Sequence, residues 1–356
     1  LPDSENRATL FDFVDYPDAR RHAVATYSIP PTHVEFRRSG PWKVAVLLGG
    51  ESAEREISLA SGRCVSQALR ERGHQVVEID PKFTNLTQQD WRETDVAFLA
   101  LHGRFGEDGH VQSILETLHV PYTGSDSEAS RVGISKSATK ERITQHSVPT
   151  PAYLLIHESD SADRILTHAN SLGYPVVIKP DTQGSSLGVS IVQNAEELRN
   201  AMPKCFALDS FGILEKAIIG SEWTVGMLDD FILPPIQIST DRQFFDFEAK
   251  YHDDGTGYRF DYNVTSDVVR RIEQVAQNAC RAVGTRGLAR VDIMLDRHQQ
   301  PWVLEINTIP GLTDHSLVPK AAAQLGWSFG ELCERAIFSC LKSTAAGAKR
   351  ITGRTP

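Results

Sequence analysis

Leu288-Ala289-Arg290-Val291-Asp292-Ile293-Met294-Leu295, the turn Asp296-Arg297-His298-Gln299-Gln300-Pro301, and Trp302-Val303-Leu304-Glu305-Ile306-Asn307 read together as an antiparallel β-hairpin. Side chains on a strand alternate between its two faces. Arg290, Asp292 and Met294 therefore share one face, and Val291, Ile293 and Leu295 share the other and read as core. On the partner strand Glu305 and Asn307 share a face, with Leu304 and Ile306 opposite. If the polar faces coincide, one surface carries Arg290, Asp292, Glu305 and Asn307. Two carboxylates and an amide oxygen are hard donors that suit Mg²⁺, which keeps water and phosphate oxygens in its shell. A solvated hairpin face with a surface ion pair would look the same, and the hairpin alone does not choose between the two.

Working outward, the segment before the hairpin predicts a helix from about Ser266 to Val283. Val269, Ile272, Val275, Ala276, Ala279 and Val283 line one side of it, and Gly284 ends it. Near the start of the chain, Lys43-Val44-Ala45-Val46-Leu47-Leu48 is an apolar run that stops at Gly49-Gly50. A helix follows over Ser58–Arg70, then strands at Gln75–Ile79 and Val96–Leu101, the last ending at His102-Gly103. Strand, helix and strand in alternation mean an α/β domain with a parallel sheet. Ligands of such sheets bind beyond the carboxyl ends of the strands, which places Gly49-Gly50 and His102-Gly103 at a crevice. Between these regions lie a helix over Ser137–His146 and strands at Tyr174–Pro180 and Gly212–Lys216. The expected division is an N-terminal extension over 1–42, an α/β domain over 43–124, a central unit over 125–215, a C-terminal unit over 216–345 and a tail over 346–356.

Composition narrows the function classes. The chain has 356 residues, is 40% hydrophobic and 23% charged, and carries a net charge of −9. A nucleic-acid binder is usually basic, so no nucleic-acid partner is expected. No apolar run is long enough to cross a membrane, and the first residues show no basic region followed by a hydrophobic one, so neither a membrane role nor a signal peptide is expected. The five cysteines form no C-x-x-C pair, which suggests neither a disulfide framework nor a zinc site. Cys280 falls on the apolar side of a helix and reads as a buried thiol. A cytoplasmic protein fits these features.

Two further segments can carry chemistry. Lys179 at a strand end precedes Gly184-Ser185-Ser186-Leu187-Gly188. A lysine there can neutralise phosphate, and a Gly/Ser loop lets backbone N–H groups approach phosphate oxygens. Glu215-Lys216 ends another strand with Glu222 shortly after, a pattern that can present contacts to a base and a ribose. Each segment also suits an ordinary loop. No Walker A motif occurs, and no G-x-G-x-x-G follows an early strand, which counts against a dinucleotide oxidoreductase.

Taken together and in order, these segments resemble the D-alanine–D-alanine ligases, from about Lys43 to about Lys342. The resemblance rests on Gly49-Gly50-Glu51-Ser52-Ala53-Glu54-Arg55-Glu56, Leu101-His102-Gly103-Arg104-Phe105-Gly106-Glu107-Asp108-Gly109, and Pro121-Tyr122-Thr123-Gly124. It rests also on Lys179-Pro180, Gly184–Gly188, Glu248-Ala249-Lys250-Tyr251, Arg290-Val291-Asp292, Glu305-Ile306-Asn307-Thr308-Ile309-Pro310-Gly311 and His315-Ser316-Leu317. It implies an α/β, three-domain ATP-grasp fold with a parallel-sheet N-terminal domain, ATP between the central and C-terminal units, and a homodimer.

The resemblance also implies roles for matching positions. ATP would be bound by Lys136, Lys179, Ser185, Ser186, Glu215, Lys216, Ile218, Glu222 and Lys250, with Phe244 and Met294 around the base. Asp292, Glu305 and Asn307 would hold two Mg²⁺ (or Mn²⁺) ions. Glu54, with His102 nearby, would take the first D-alanine, and Ser316 the carboxylate of the second. Arg290 and the Gly311 backbone would stabilise the oxyanion. Glu54, Ser185 and Tyr251 would form a hydrogen-bonded network tying lid to substrate. Two departures stand out. Arg259-Phe260-Asp261 follows Thr256 and Tyr258 where the family has a proline, and Asp314 stands where a small residue is usual. The activity implied is ATP-driven joining of two D-alanines for peptidoglycan precursors. The alternatives are a relative using D-lactate or D-serine as acceptor, or a secondary-metabolism dipeptide ligase, and a non-catalytic nucleotide-binding regulator. The complete set Arg290, Asp292, Glu305 and Asn307 speaks against the last, and Tyr251 favours an amine acceptor.

Overall fold

The computed structural model describes residues 40–239, 257–313 and 316–352. Phe244, Lys250 and Tyr251, Thr256 and Asp314, residues 1–39 and the last residues of the tail lie outside it.

The chain opens with β1 (Lys43–Leu47), α1 (Arg55–Glu71), β2 (Gln75–Ile79), β3 (Val96–Leu99) and α2 (His110–Thr117). As expected, β1 pairs in parallel with β2 and with β3, giving the order β2-β1-β3. β1 and β3 are buried almost throughout, which is why they read as continuous apolar runs rather than as alternation.

Two helices follow, α3 (Ser127–Ile134) and α4 (Lys136–Gln145), capped by Asp126 and Ser135 through side-chain oxygens that accept the Ala129 and Ala138 N–H groups. Then come β4 (Tyr153–His157), α5 (Ala162–Leu172), β5 (Val176–Pro180), β6 (Ser190–Val192), α6 (Ala195–Phe206) and β7 (Phe211–Lys216). These strands form an antiparallel sheet of order β4-β7-β5-β6. One face, with Ile156, Val176, Ile178 and Leu214, packs on α5 and α6. The other face carries Tyr153, Glu215, Val177 and Lys179, placed together by the register Tyr153↔Glu215↔Val177.

The third sheet is built from β8 (Gly220–Leu228), β9 (Phe231–Ile232), β10 (Ile236–Ser239) and β11 (Gly257–Arg259), and, after helix α7 (Ser266–Val283), from β12 (Leu288–Asp296) and β13 (Pro301–Asn307). The order is β11-β10-β8-β12-β13, with β9 on β8. Helix α7 has the expected bounds, ends at Gly284 in the left-handed region (φ 85°), and buries Cys280. Its apolar side packs on this sheet together with Ala129, Ile143 and Val148. Helices α3 and α4, which open the expected central unit of 125–215, are thus seated on the C-terminal sheet. Two more helices close the chain, α8 (Leu317–Ala323) and α9 (Phe329–Thr352). Leu332, Cys333, Ala336 and Ile337 of α9 share a core with Val65 and Leu69 of α1 and Val46 of β1. The last helix therefore docks on the first domain.

The hairpin departs from the expected alternation at one position. The register runs Arg290↔Asn307, Val291↔Ile306, Asp292↔Glu305 and then shifts to Ile293↔Val303. Leu304 is the extra residue of this bulge and is half-buried, while Val303 takes the core position it was expected to fill. A bulge places two residues opposite one and breaks the period of two. The polar faces coincide all the same, because the shift lies beyond Glu305.

Candidate active site

A cleft lies where the three sheets meet, lined among others by Glu54, His102, Glu107, Lys136, Ser185, Arg290, Glu305, Asn307, Gly311 and Ser316. Its floor is the hairpin. Asp292 and Glu305 are directly opposed, as are Arg290 and Asn307. Arg290 grips Asp292 through two parallel bonds, Nε to Oδ1 at 2.9 Å and Nη2 to Oδ2 at 2.7 Å, a geometry in which position and charge are fixed together. The hydroxyl of Thr224, opposite Asp292 on β8, donates to Oδ1 at 2.7 Å. Farther along the same face Met294 is paired with Glu222. The face from Arg290 to Met294 thus spans roughly 14 Å at the rise of an antiparallel strand.

The loops complete the cleft from the first domain. Ser58 of α1 accepts from Gly49 N at 2.8 Å and donates to Ala100 O at 2.7 Å, and Ser52 donates to His102 O at 2.7 Å. The ends of β1 and β3 are thereby stitched to the start of α1, where Glu54 sits. Ser185, from the loop after β5, donates to Glu54 Oε1, the described part of the expected network with Tyr251. Ser185 and Ser186 both hold positive φ, 52° and 57°, a backbone cost that persists where surrounding structure enforces it. The loop passes close to Glu54, and a Cβ on Gly103 would come within 2.7 Å of Glu54 Oε2. His102 is buried, which pushes its imidazole down to about 4, with Arg290 acting in the same direction. It is therefore neutral at pH 7. Ser61 sits 3.2 Å from its Nε2 and accepts from Leu312 N at 3.3 Å, linking the pocket to the backbone beside Gly311. A Cβ on Gly311 would meet Ser316 Oγ at 2.9 Å. Ser316 Oγ itself accepts from Thr313 N at 2.9 Å.

Lysines approach from the central unit. Lys136 donates to Gln183 O at 2.6 Å and stands 3.6 Å from Glu305 Oε2. Lys179 lies 2.7 Å from Glu215 Oε1, and Lys140, one turn beyond Lys136, lies 2.8 Å from Glu215 Oε2. Burial pushes the Glu215 carboxyl up, but Lys140 and Lys179 outweigh it and hold it at about 2. Lys216 points the other way and donates to Gly173 O at 2.7 Å. Neighbours on a strand face opposite sides, so its side chain is not brought to the Glu215 face. Ile218 lies half-buried in the segment joining β7 to β8.

Sequence reasoning gave no role to four residues that the structure places at or beside the site: Ser61, Glu107, Lys140 and Thr224. Glu107 accepts from Gly103 N at 2.6 Å. Oriented to satisfy both neighbours, the Asn307 amide donates to Glu107 Oε1 at 2.8 Å and accepts from Arg290 Nη2 at 3.2 Å. Burial raises the Glu107 carboxyl well above its ordinary value, and the Glu54 charge adds to this. Its motif was visible in the sequence; its proximity to Asn307 was not. Lys140 could have been found as the residue at i+4 from Lys136, on the same side of a helix. Ser61 and Thr224 carry no local signal.

The donor set fits a hard divalent cation. Asp292 and Glu305 face each other across the hairpin, Asn307 adds an amide oxygen, and all three are oxygen ligands.

Known proteins resemble this chain over most of its length. Residues 142–338 match the family model of the D-ala D-ala ligase C-terminus, and residues 78–125 that of the N-terminus. The chain is 43% identical over 303 residues to the D-alanine–D-alanine ligase of Alkalilimnicola ehrlichii, covering 85% of this chain and 96% of the relative. The crystal structure of the D-alanine–D-alanine ligase from Bacillus anthracis superposes with a TM-score of 0.77 at 32% identity, covering 86% of this chain and 99% of that one. The same enzyme complexed with ATP gives 0.75 at 29%, with the same coverage. With its hairpin, its loops and its lysines arranged around one cleft, this chain belongs to the D-alanine–D-alanine ligase family.

Proposed function

We propose that this protein joins two D-alanines to D-alanyl-D-alanine with ATP, for peptidoglycan precursor synthesis, through an acyl phosphate. The observation that carries the reading is the gathering of Glu54, Arg290, Glu305, Asn307, Lys136 and Gly311 on one cleft. The ATP complex of the Bacillus anthracis ligase supports the choice of nucleotide.

Amide formation from a carboxylate needs activation, because an oxide is a poor leaving group. An oxygen of the first D-alanine carboxylate attacks the γ-phosphorus, and ADP departs. Glu54 holds the ammonium of that D-alanine, and its bond to Ser185 places it. Lys136 and Lys179 balance charge on the nucleotide phosphates. The amine of the second D-alanine then attacks the acyl carbon, and Arg290 with the Gly311 N–H meets the oxyanion that develops. Phosphate leaves with one former carboxylate oxygen. Neutral His102, buried against Ser61, is available to hydrogen-bond without adding positive charge. Asp292, Glu305 and Asn307 would hold Mg²⁺ or Mn²⁺, which supplies charge neutralisation for the transferring phosphoryl group. Ser316, beside Gly311, takes the carboxylate of the second D-alanine on this reading. Met294, at the far end of the hairpin face, and Glu222, paired with it on β8, flank the nucleoside.

A cytoplasmic homodimer completes the reading. All five cysteines are free thiols, the state a reducing compartment maintains. The test is phosphate release from ATP and Mg²⁺ across D-amino and D-hydroxy acids. Release dependent on D-alanine, with the dipeptide as product, is expected. Release only with D-lactate or D-serine as acceptor would shift the reading to a different acceptor.

A further inference from the structure

Two ammonium groups converge on a single buried carboxylate beside the cleft. Glu215 projects from β7, on the sheet face that also carries Lys179 two residues along the neighbouring strand. It is 3% exposed, and the two lysines reach its two oxygens at 2.7 and 2.8 Å. One carboxylate between two ammoniums leaves one positive charge over. The lysines are held differently. Lys140 is fully buried and anchored on its other side, donating to Thr150 Oγ1 at 2.5 Å, while Thr150 donates to Val303 O at 2.8 Å. Its ammonium also lies 5.3 Å from the centre of the Tyr153 ring. Lys140 is thus pinned between the central sheet and the strand that carries Glu305. Lys179 reaches Glu215 from β5, directly before the Gly/Ser loop.

We propose that Lys140 is a positioning residue whose task is to neutralise Glu215, so that the charge of Lys179 can serve the nucleotide phosphate. This rests on the ATP-using reading of the cleft. A buried carboxylate holds its counterion tightly, because separating them in a medium poorer than water is costly. Without Lys140, Glu215 would keep Lys179 for itself, and the phosphate would lose a cation. With Lys140 in place, Lys179 can turn from carboxylate to phosphate while Glu215 stays paired. Burial pushes Lys140 down to about 8, against which Glu215 pulls it up, so the ammonium is present at neutral pH and sits close to its limit.

The test is titration calorimetry of Mg²⁺–ADP, without D-alanine, into the full chain and three variants: K140M, E215Q and K140M/E215Q. K140M should weaken ADP by about tenfold or more, the worth of one charge-assisted hydrogen bond. The same change made in E215Q should cost less than about twofold, since with no carboxylate to hold it Lys179 is already released. K140R should bind within about threefold of wild type, because it keeps the charge. Equal losses from K140M in both backgrounds would make Lys140 a phosphate ligand or a support of the fold, and would overturn the inference. Wild-type affinity in K140M would overturn it as well. If K140M alone melts early, the comparison of E215Q with the double variant, which keeps the wild-type net charge of the cluster, carries the test: a loss beyond about twofold there would overturn the inference. A wild-type chain that binds no nucleotide would remove the functional reading itself, whereas binding with uncoupled variants would remove only this inference.

Discussion

The hairpin β12–β13 and the loop-built pocket around Glu54 form the two halves of the same cleft, yet they are constructed on different principles. On the hairpin, Arg290, Asp292, Glu305 and Asn307 are placed by register, and adjacent strands fix them within a hydrogen-bonded ladder. The pocket instead gathers Glu54 from the start of α1, His102 from the end of β3 and Ser185 from the loop after β5, and holds them through side-chain bonds such as Ser58 to Ala100. One half is rigid because of its backbone. The other is rigid only while several separate contacts hold. On the function proposed above, charge chemistry therefore belongs to the sheet and substrate recognition to the loops.

The sharpest way to break this contrast is to change the rigid half. Glu305→Gln keeps shape and removes one hard anion, and turnover should fall about 10³-fold, in the range seen when a preorganised charge partner is lost. The melting temperature should move by only a few degrees, since surface-facing changes on a sheet rarely cost more than about 1 kcal/mol. Near wild-type turnover would show that the hairpin does not carry the charge chemistry.

The loop half depends on a distant contact. Glu334 of α9 accepts from His74 Nε2 at 2.9 Å and pairs with Arg72, while His74 Nδ1 accepts from Trp42 N at 3.0 Å. Because Nδ1 is an acceptor, the ring proton lies on Nε2. Burial pushes the Glu334 carboxyl up, but Arg72 and His74 outweigh it and hold it below its ordinary value. The stability this provides is present above the unfolded value near 4.5 and is lost as pH falls through the lower folded value. Glu334→Leu should cost about 3 kcal/mol, the scale for breaking a buried pair. Amide exchange should quicken in α1 and β2 and stay slow in β12 and β13. Uniform quickening would erase the distinction between the halves.

Much of this contrast tracks what the sequence could show. The hairpin face was legible because strand alternation is a rule of geometry, and the bulge at Leu304 escaped because nothing in Trp302–Asn307 marks a shift in pairing. The parallel sheet and α7 were legible from apolar runs and helical spacing. The pocket's place at the strand ends followed from the parallel-sheet rule, but the roles of its residues were legible only through resemblance, since contacts such as Ser61 to Leu312, 251 residues apart, leave no local pattern. Glu107 and Thr224 were missed for the same reason, since their partners lie on other elements, whereas Lys140 had a helical-spacing signal from Lys136.

Alkali gives a third handle on the lysine side of the cleft. The Lys140 ammonium, near 8, faces Glu215, Lys179 and the Tyr153 ring, with Glu305 also acting on it. KM for ATP should be flat below pH 8 and climb by about tenfold per pH unit above it, as one proton leaves. In K140R the climb should vanish from this range. Stability should move the other way. The folded value lies below the unfolded 10.5, so the cost of burying the ammonium is complete below pH 8 and fades as pH rises toward 10.5. A KM that rises only as the protein unfolds would contradict this.

The smallest effect belongs to a single loop contact. Ser185→Ala removes the hydroxyl that donates to Glu54. A bond to a charged group is worth about 1.5–3 kcal/mol at most, and loops recover part of it from water, so KM for D-alanine should rise by roughly fivefold to tenfold, with the fold unaffected. No change would mean that Glu54 is placed by the first domain alone.

The most direct test of the acyl-phosphate route follows oxygen atoms. D-alanine labelled with ¹⁸O in both carboxylate oxygens is supplied with ATP and Mg²⁺, and the released phosphate is analysed by mass. If the carboxylate attacks the γ-phosphorus and the second amine displaces phosphate from the acyl carbon, each dipeptide formed delivers one ¹⁸O to inorganic phosphate. Phosphate free of label, with label instead in AMP or retained wholly in the amino acids, would contradict that route.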